Sequence, residues 1–143
     1  QQQDFVECIE VTHASWLMDS GLFSARYPLD EARKKRALQE VAKLGYELHL
    51  SGAAIEEGEL VITVENRGVA PFYYDWPVTV RAGEVMETDW KLSKVLPGKP
   101  VQWRLKLQAP GDVAIRVANP MKGGRDLRFA NEGYEGEWLN LVP

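Results

Sequence analysis

Apolar and polar residues alternate along most of the chain after residue 45, which is typical of β-strands that bury one face. The clearest example is Glu59–Arg81, which we interpret as two strands, Leu60–Glu65 and Phe72–Arg81, joined by a turn at Asn66-Arg67-Gly68. Leu60, Ile62 and Val64 share one face of the first strand. On the second strand the alternation predicts an inward set of Phe72, Tyr74, Trp76, Val78 and Val80, and an outward set of Tyr73, Asp75, Thr79 and Arg81.

The strand pattern repeats to the end of the chain. Turn-forming Gly, Pro and Asn residues separate the segments at intervals of roughly 8–14 residues, which favours an antiparallel, immunoglobulin-like β-sandwich over residues 46–143. The predicted strands are Tyr46–Ile55, Leu60–Glu65, Phe72–Arg81, Glu87–Lys94, Val101–Gln108, Val113–Ala118, Arg125–Asn131 and Glu137–Val142.

Residues 1–45 predict one strand and one α-helix before the sandwich. Asp4–Leu17 has apolar residues on both faces of a strand, as in a strand that is covered on both sides. Pro28–Leu44 has the apolar period of a helix, with Asp30 as the N-cap and Gly45 at a left-handed C-terminal position. The apolar stripe of this helix comprises Ala37, Leu38, Val41, Ala42 and Leu44.

Length and charge exclude several classes of protein. A chain of 143 residues forms one domain, or one domain with a short appendage. Its net charge of −4 comes from 17 basic and 21 acidic residues without a basic block, which argues against nucleic acid and anionic membranes as the main partners. It contains no apolar run of the ~20 residues that span a membrane. Cys8 is the single cysteine, so an intrachain disulfide is excluded.

No motif for catalysis or for a cofactor is evident. The sequence lacks a nucleophile elbow, a phosphate-binding glycine loop and the spacing of zinc ligands. A small hydrolase that uses His13 and nearby carboxylates is the least favoured hypothesis. Glu84, Glu87 and Asp89, with Asp75, form either a charged loop or a structural calcium site. We therefore expect a chain that is not an enzyme.

Aromatic residues supply the candidate binding site. Five Trp and five Tyr are many for this length, and an exposed aromatic ring can stack on a sugar ring. Packing in the core or at its rim is the alternative for each of them. The candidate ligand-binding residues are Tyr73, Asp75, Arg81, Trp90, Tyr134 and Trp138, with Asn131 as a further hydrogen-bonding group.

Three segments carry a resemblance to a known family. They are the run LGYELHLSGA at residues 44–53, the N-x-G-x-A-P pattern of Asn66, Gly68, Ala70 and Pro71, and the segment GRDLRFAN at residues 124–131. With LPG at residues 96–98 they resemble a bacterial domain-of-unknown-function family that forms the C-terminal β-sandwich of secreted glycoside-hydrolase-like proteins.

The resemblance implies a function and a location. It implies a carbohydrate-associated accessory module that is secreted or extracytoplasmic. Together with the sandwich pattern and the number of aromatic residues, it favours a non-catalytic module that binds a polysaccharide or an oligosaccharide, or that supports an enzyme core. It also implies that residues 1–45 are similar to the last βα unit of a catalytic barrel, and that the catalytic domain of a parent protein is a partner. The alternative is a structural or protein-interaction sandwich without a sugar ligand.

Overall fold

The computed structural model describes residues 4–18, 30–108 and 111–142 of the chain. Two helices, α1 (Phe5–Thr12) and α2 (Glu31–Val41), precede the strands. Leu92–Lys94 form a 3₁₀ turn. The strands are β1 (Leu48–Glu56), β2 (Glu59–Asn66), β3 (Val78–Ala82), β4 (Glu84–Glu87), β5 (Val101–Lys106), β6 (Val113–Val117), β7 (Tyr134–Glu135) and β8 (Trp138–Val142).

The strands form two antiparallel sheets. One sheet has the order β1-β2-β5, and the other has the order β4-β3-β6-β8-β7. Buried apolar side chains from both sheets form one contiguous core. The prediction of a mainly β, antiparallel sandwich is therefore confirmed.

Alternation correctly identifies the core residues of the central strands. The side chains of Leu60, Ile62 and Val64 on β2 are buried, and so are those of Val113, Ile115 and Val117 on β6. Trp103 on β5 is buried as well. These strands are paired along their length, so period two holds and every second side chain enters the core.

Residues 5–12 form helix α1, so the prediction of a strand over Asp4–Leu17 is wrong. The carboxylate of Asp4 caps the helix by accepting hydrogen bonds from the backbone N–H groups of Val6, at 2.8 Å, and Glu7. His13 ends the helix in the left-handed conformation, with φ of 50°. Apolar residues on both faces of this segment favoured a strand, but the capped first turn determines the local structure.

Only the end of the predicted strand Phe72–Arg81 is a strand, β3, and residues 72–77 are irregular. Pro71 and Pro77 have no N–H groups with which to join a sheet ladder. Alternation therefore fails in this part, and Tyr74 is exposed although it was assigned to the core.

Two other predicted strands are wrong. Glu87–Lys94 contains the end of β4 and the 3₁₀ turn. Arg125–Asn131 makes a single bridge, between Leu127 and Val117. In this segment the backbone N–H of Phe129 donates to the side-chain oxygen of Tyr134 instead of to a neighbouring strand.

Helix α2 lies within the predicted Pro28–Leu44, whose first two residues are outside the described residues. Asp30 is the N-cap, as predicted, and its carboxylate accepts from the N–H of Arg33 at 2.7 Å. Gly45 has the expected positive φ, at 86°, but it follows a turn beyond the helix end. The apolar stripe is not buried, since Leu38 and Val41 are 57% and 50% exposed.

Candidate binding surfaces

One buried polar side chain organises the start of the sandwich. Asn66, at the end of β2, is 2% exposed, and its amide makes four hydrogen bonds. Its oxygen accepts from the N–H groups of Glu47 and Gly68, at 3.1 and 3.0 Å. Its nitrogen donates to the carbonyl oxygens of Ala70 and Val95, at 2.9 and 3.3 Å. The turn after β2 is thereby held against both the residue before β1 and the 3₁₀ turn.

Backbone hydrogen bonds extend this contact to the residues that precede the sandwich. We call residues 45–47 and 66–70 the junction, and the described residues 4–18 and 30–44 the helical segment. The N–H of Gly45 donates to the carbonyl of Ala14 at 3.0 Å, and its carbonyl accepts from the N–H of Ala70 at 2.9 Å. Nδ1 of His13 lies 2.8 Å from the carbonyl oxygen of Val69, which requires the tautomer protonated on Nδ1. The junction therefore fastens the helical segment to the sandwich.

The chain leaves the junction through an exposed aromatic loop, residues 71–77 (PFYYDWP). Phe72 is buried at its base, and Tyr46, Tyr74 and Trp76 contact it edge to face, with ring centroids 4.8, 5.8 and 5.2 Å away. Tyr73 and Tyr74 are 60% and 62% exposed. The aromatic loop thus presents two tyrosine rings to solvent on a base that is packed into the core.

Asp75 fixes the far side of the aromatic loop. One oxygen of its carboxylate accepts from the backbone N–H of Ser93 at 2.9 Å. This hydrogen bond, with smaller contributions from Lys91 and Lys94, holds the pKa of Asp75 below its ordinary value. Because the side chain is exposed, an ionised hydrogen-bond acceptor stands beside the two tyrosines.

Arg81 and Trp138 come together on the outer face of the five-stranded sheet. The guanidinium carbon of Arg81 lies 4.8 Å from the centroid of the Trp138 ring, which is a cation–π contact. Arg81 is in register with Ala114 on β6. The two candidates therefore meet on the outer face of this sheet.

An ion-pair network lies on the same sheet. Arg116 contacts the carboxylates of Asp126 and Glu137 at 2.6 and 2.8 Å. Burial alone would raise the pKa of Asp126, but hydrogen bonds from Arg116 and from the N–H of Asn119 lower it. These charges compensate one another, so the network stabilises the sheet and the loop that follows β6.

The other candidates have structural contacts. Trp90 is 8% exposed and stacks on Trp103 in the core, with ring centroids 4.9 Å apart, and its indole N–H donates to the carbonyl of Arg104. Neither face of Trp90 is open to a sugar. The ring of Tyr134 lies 4.6 Å from the guanidinium of Arg128. The amide of Asn131 pairs with the N–H and the C=O of Leu50, at 2.9 and 3.0 Å.

The sequence pattern assigned Tyr73, Asp75 and Arg81 to one outward side. Tyr73 and Asp75 are exposed on the aromatic loop, whereas Arg81 lies on β3, and the exposure of Tyr74 was not predicted. The prolines at positions 71 and 77 were the available signal, because they mark the segment between them as outside a sheet ladder.

The described residues bring no three His, Cys, Asp or Glu side chains together in a group that could hold a metal ion. Asp75, Glu84, Glu87 and Asp89 therefore do not form such a group, and the calcium site suggested for them stays a prediction. No helix in the described ranges has both the length and the apolar character needed to cross a membrane.

Comparisons of the chain with models of known families, with curated proteins and with solved structures found no match. The resemblance of residues 44–53, 66–71 and 124–131 to a family therefore stays a prediction.

Proposed function

We propose that this chain is a non-catalytic accessory module of a carbohydrate-active system, and that its aromatic loop binds polysaccharide. The observation that carries the proposal is the exposure of Tyr73 and Tyr74, at 60% and 62%, on a loop that is anchored at both ends. One anchor is the buried ring of Phe72, and the other is the hydrogen bond from Ser93 to Asp75.

The chemistry of the loop suits a sugar. A tyrosine ring offers an apolar face to the C–H groups of a pyranose ring and a hydroxyl group at its edge. The ionised carboxylate of Asp75 has acceptor capacity beyond its bond to Ser93, so it can accept from sugar hydroxyls. Because the loop is already ordered, binding costs little conformational entropy.

Alanine at Tyr73 or Tyr74 is expected to weaken binding to a soluble polysaccharide about 5- to 10-fold, since an aromatic contact contributes about 1 kcal/mol beyond its buried area. Affinity electrophoresis in gels that contain β-glucan, xylan or mannan measures the effect as lost retardation. Trp16→Ala is the matched control, because Trp16 is also exposed but lies in the helical segment. Unchanged migration of the native chain in every gel would contradict sugar binding, and retardation that survives both tyrosine changes would place the site elsewhere.

The helical segment supports a second candidate function, the docking of a protein. No residue of α2 is buried, and the segment before it exposes apolar side chains as well. These are Val11, Trp16, Leu17 and Met18. Clustered exposed apolar side chains are typical of protein interaction sites. The basic residues Arg33, Lys34 and Lys35 beside the stripe favour a partner domain whose apolar surface has an acidic rim. In the family resemblance that partner is the catalytic domain of the parent protein.

Changing both Leu38 and Val41 to lysine is expected to weaken docking at least 10-fold, because it places two charges in the apolar contact. Isothermal titration calorimetry with the catalytic domain of the parent protein as a separate polypeptide measures the loss. Gln39→Lys adds a charge at an exposed position of α2 between these two residues and is the control. Equal affinities of the native chain, the variant with lysine at both Leu38 and Val41, and Gln39→Lys would exclude α2 as the docking surface.

A further inference from the structure

The outer edge of β1 is only partly covered. β1 is the first strand of its sheet, so only one of its two edges pairs with β2. On the other edge the N–H of Ala130 donates to the carbonyl of Leu48 at 2.7 Å, and the amide of Asn131 pairs with Leu50. A bulge at Ser51 follows. From Gly52 to Glu56, no described residue hydrogen-bonds to this edge.

The register with β2 determines which backbone groups point outward. Glu56 and Glu59 are opposite each other across the two-residue turn Glu57-Gly58, whose φ values of 50° and 84° are those of a type I′ turn. The two residues that flank such a turn form a hydrogen-bonded pair. Along an antiparallel ladder, hydrogen-bonded pairs alternate with non-hydrogen-bonded pairs. Ala53 and Ile55 therefore direct their N–H and C=O groups away from β2.

The other edges of the described sheets are less available. On β5 the indole N–H of Trp90 occupies the outward carbonyl of Arg104. β7 has two residues, and β4 has four, of which Glu84 and Glu87 are acidic. Short and charged edges resist pairing with another strand. Gly52–Glu56 is therefore an open edge stretch on a strand longer than β4 or β7.

The side chains on this stretch are also suited to a contact. Ala53 and Ile55 are opposite the buried residues Ile62 and Leu60, so they lie on the core-facing side of β1. Ile55 is nevertheless 43% exposed. An edge strand has no neighbouring strand on one side, so an apolar side chain on its inner face stays exposed on that side.

We infer that β1 pairs with β1 of a second copy of this chain, antiparallel and centred on Ala54. In this register Ala53 is opposite Ile55 of the second copy. By two-fold symmetry, Ile55 is also opposite Ala53 of the second copy. Both residues carry outward N–H and C=O groups, so the two pairs form four hydrogen bonds. Ile55 is covered in part by Ala53 of the second copy.

The charges agree with this register. Glu56 falls opposite Gly52 of the second copy, and Glu57 falls opposite Ser51, so no two carboxylates face each other. Each Glu56 also lies 3.7 Å from Arg104 of its own chain, which offsets its charge. A second copy is thus an occupant that matches this edge in hydrogen bonding, side-chain size and charge.

Sedimentation equilibrium over a range of protein concentrations tests the pairing. The native chain is expected to rise from its monomer mass of 16.2 kDa toward twice that value. Ala53→Pro is expected to stay at the monomer mass, because it removes an outward N–H and places a ring on the edge without removing a bond to β2. Ala54→Ser is the control, since it keeps every backbone group and is expected to dimerise like the native chain.

A second measurement does not depend on how well the proline variant folds. In the native chain, hydrogen exchange of the Ala53 and Ile55 amides should slow as the concentration increases, while exchange at the exposed Lys122 stays constant. A native chain that keeps the monomer mass up to millimolar concentration overturns the inference, and so does a dimer that forms equally well with Ala53→Pro. Neither outcome bears on sugar binding by the aromatic loop.

Discussion

Replacing Asn66 with alanine is expected to destabilise the fold by about 4 kcal/mol. Two N–H groups and two carbonyl groups would lose their hydrogen-bond partner, and each unsatisfied buried group costs about 1–3 kcal/mol before water compensates. These groups belong to Glu47 and Gly68, and to Ala70 and Val95. For a chain of this size the loss corresponds to a decrease in Tm of roughly 10 °C or more. Urea denaturation followed by circular dichroism measures the free energy of unfolding.

Asn131→Ala is a matched control for this change. The Asn131 amide also bonds to backbone groups, those of Leu50, but at the edge of β1, where water can replace it. We expect a loss of only about 1 kcal/mol. Equal losses in the two variants would contradict the assignment of Asn66 as the central residue of the junction.

Asn66→Asp separates the loss of hydrogen bonds from the loss of volume. The carboxylate keeps the acceptor for Glu47 and Gly68 but directs an oxygen at the carbonyls of Ala70 and Val95. Burial and these carbonyls should raise the pKa of the new carboxyl group. The protonated form can donate one hydrogen bond, so the variant should be most stable at acidic pH and lose stability as the pH rises through the raised pKa. A stability difference from the native chain that is independent of pH would argue against this arrangement.

Gly68→Ala is expected to destabilise the fold by about 3 kcal/mol, the upper range for overpacking a rigid site. A Cβ atom at this position would lie 2.6 Å from Cα of Tyr46 and 2.7 Å from the backbone nitrogen of Glu47. Both atoms belong to the backbone, so the junction has to open to admit a methyl group. Thermal denaturation measures the loss, and the resonances of Ala14 and His13 in NMR spectra should shift with it.

Gly52→Ala is the control for the glycine change. A Cβ atom there meets only the Thr63 side chain, at 3.8 Å, which is an ordinary contact. Stability should therefore be unchanged within about 0.5 kcal/mol, or rise slightly because alanine restricts the unfolded chain. A small effect of Gly68→Ala, similar to that of Gly52→Ala, would show that the junction is not tightly packed.

Period-two alternation predicts the fold where strands are paired on regular ladders. It identified β2, β5 and β6 and their buried side chains, because these strands run through the sandwich without interruption. It failed between Pro71 and Pro77, where apolar residues also fall at every second position but the backbone has no ladder to join. Periodicity describes side chains, whereas a strand also needs partners for its backbone.

The helix α1 shows the opposite error. Apolar residues on both faces of Asp4–Leu17 predict a strand, but an Asp at position 4 followed by Glu7 is also a helix-start signal. The N-terminal cap provides hydrogen bonds that a strand at this place would have to find in a neighbour. The N-cap signal at Asp4 therefore outweighs the apolar pattern in this segment.

The candidate site was predictable only in part for the same reason. Tyr73 and Asp75 were placed on one exposed surface, and the structure adds Tyr74 to them. Trp90 was a candidate for ligand binding, yet it stacks on Trp103 in the core. Trp90 and Trp103 are 13 positions apart in the sequence, so no local pattern predicts this tertiary contact.

The junction also bears on how this module can move between proteins. The carbonyl of Gly45 and the imidazole of His13 satisfy backbone groups of residues 69–70, which belong to the sandwich. A gene rearrangement that transferred the strands alone, with a breakpoint between Gly45 and Tyr46, would leave the N–H of Ala70 in the core rim without its acceptor. A transferred unit that keeps these hydrogen bonds therefore includes the helices. A protein that acquires this sandwich with its helices also acquires the exposed apolar side chains of α2.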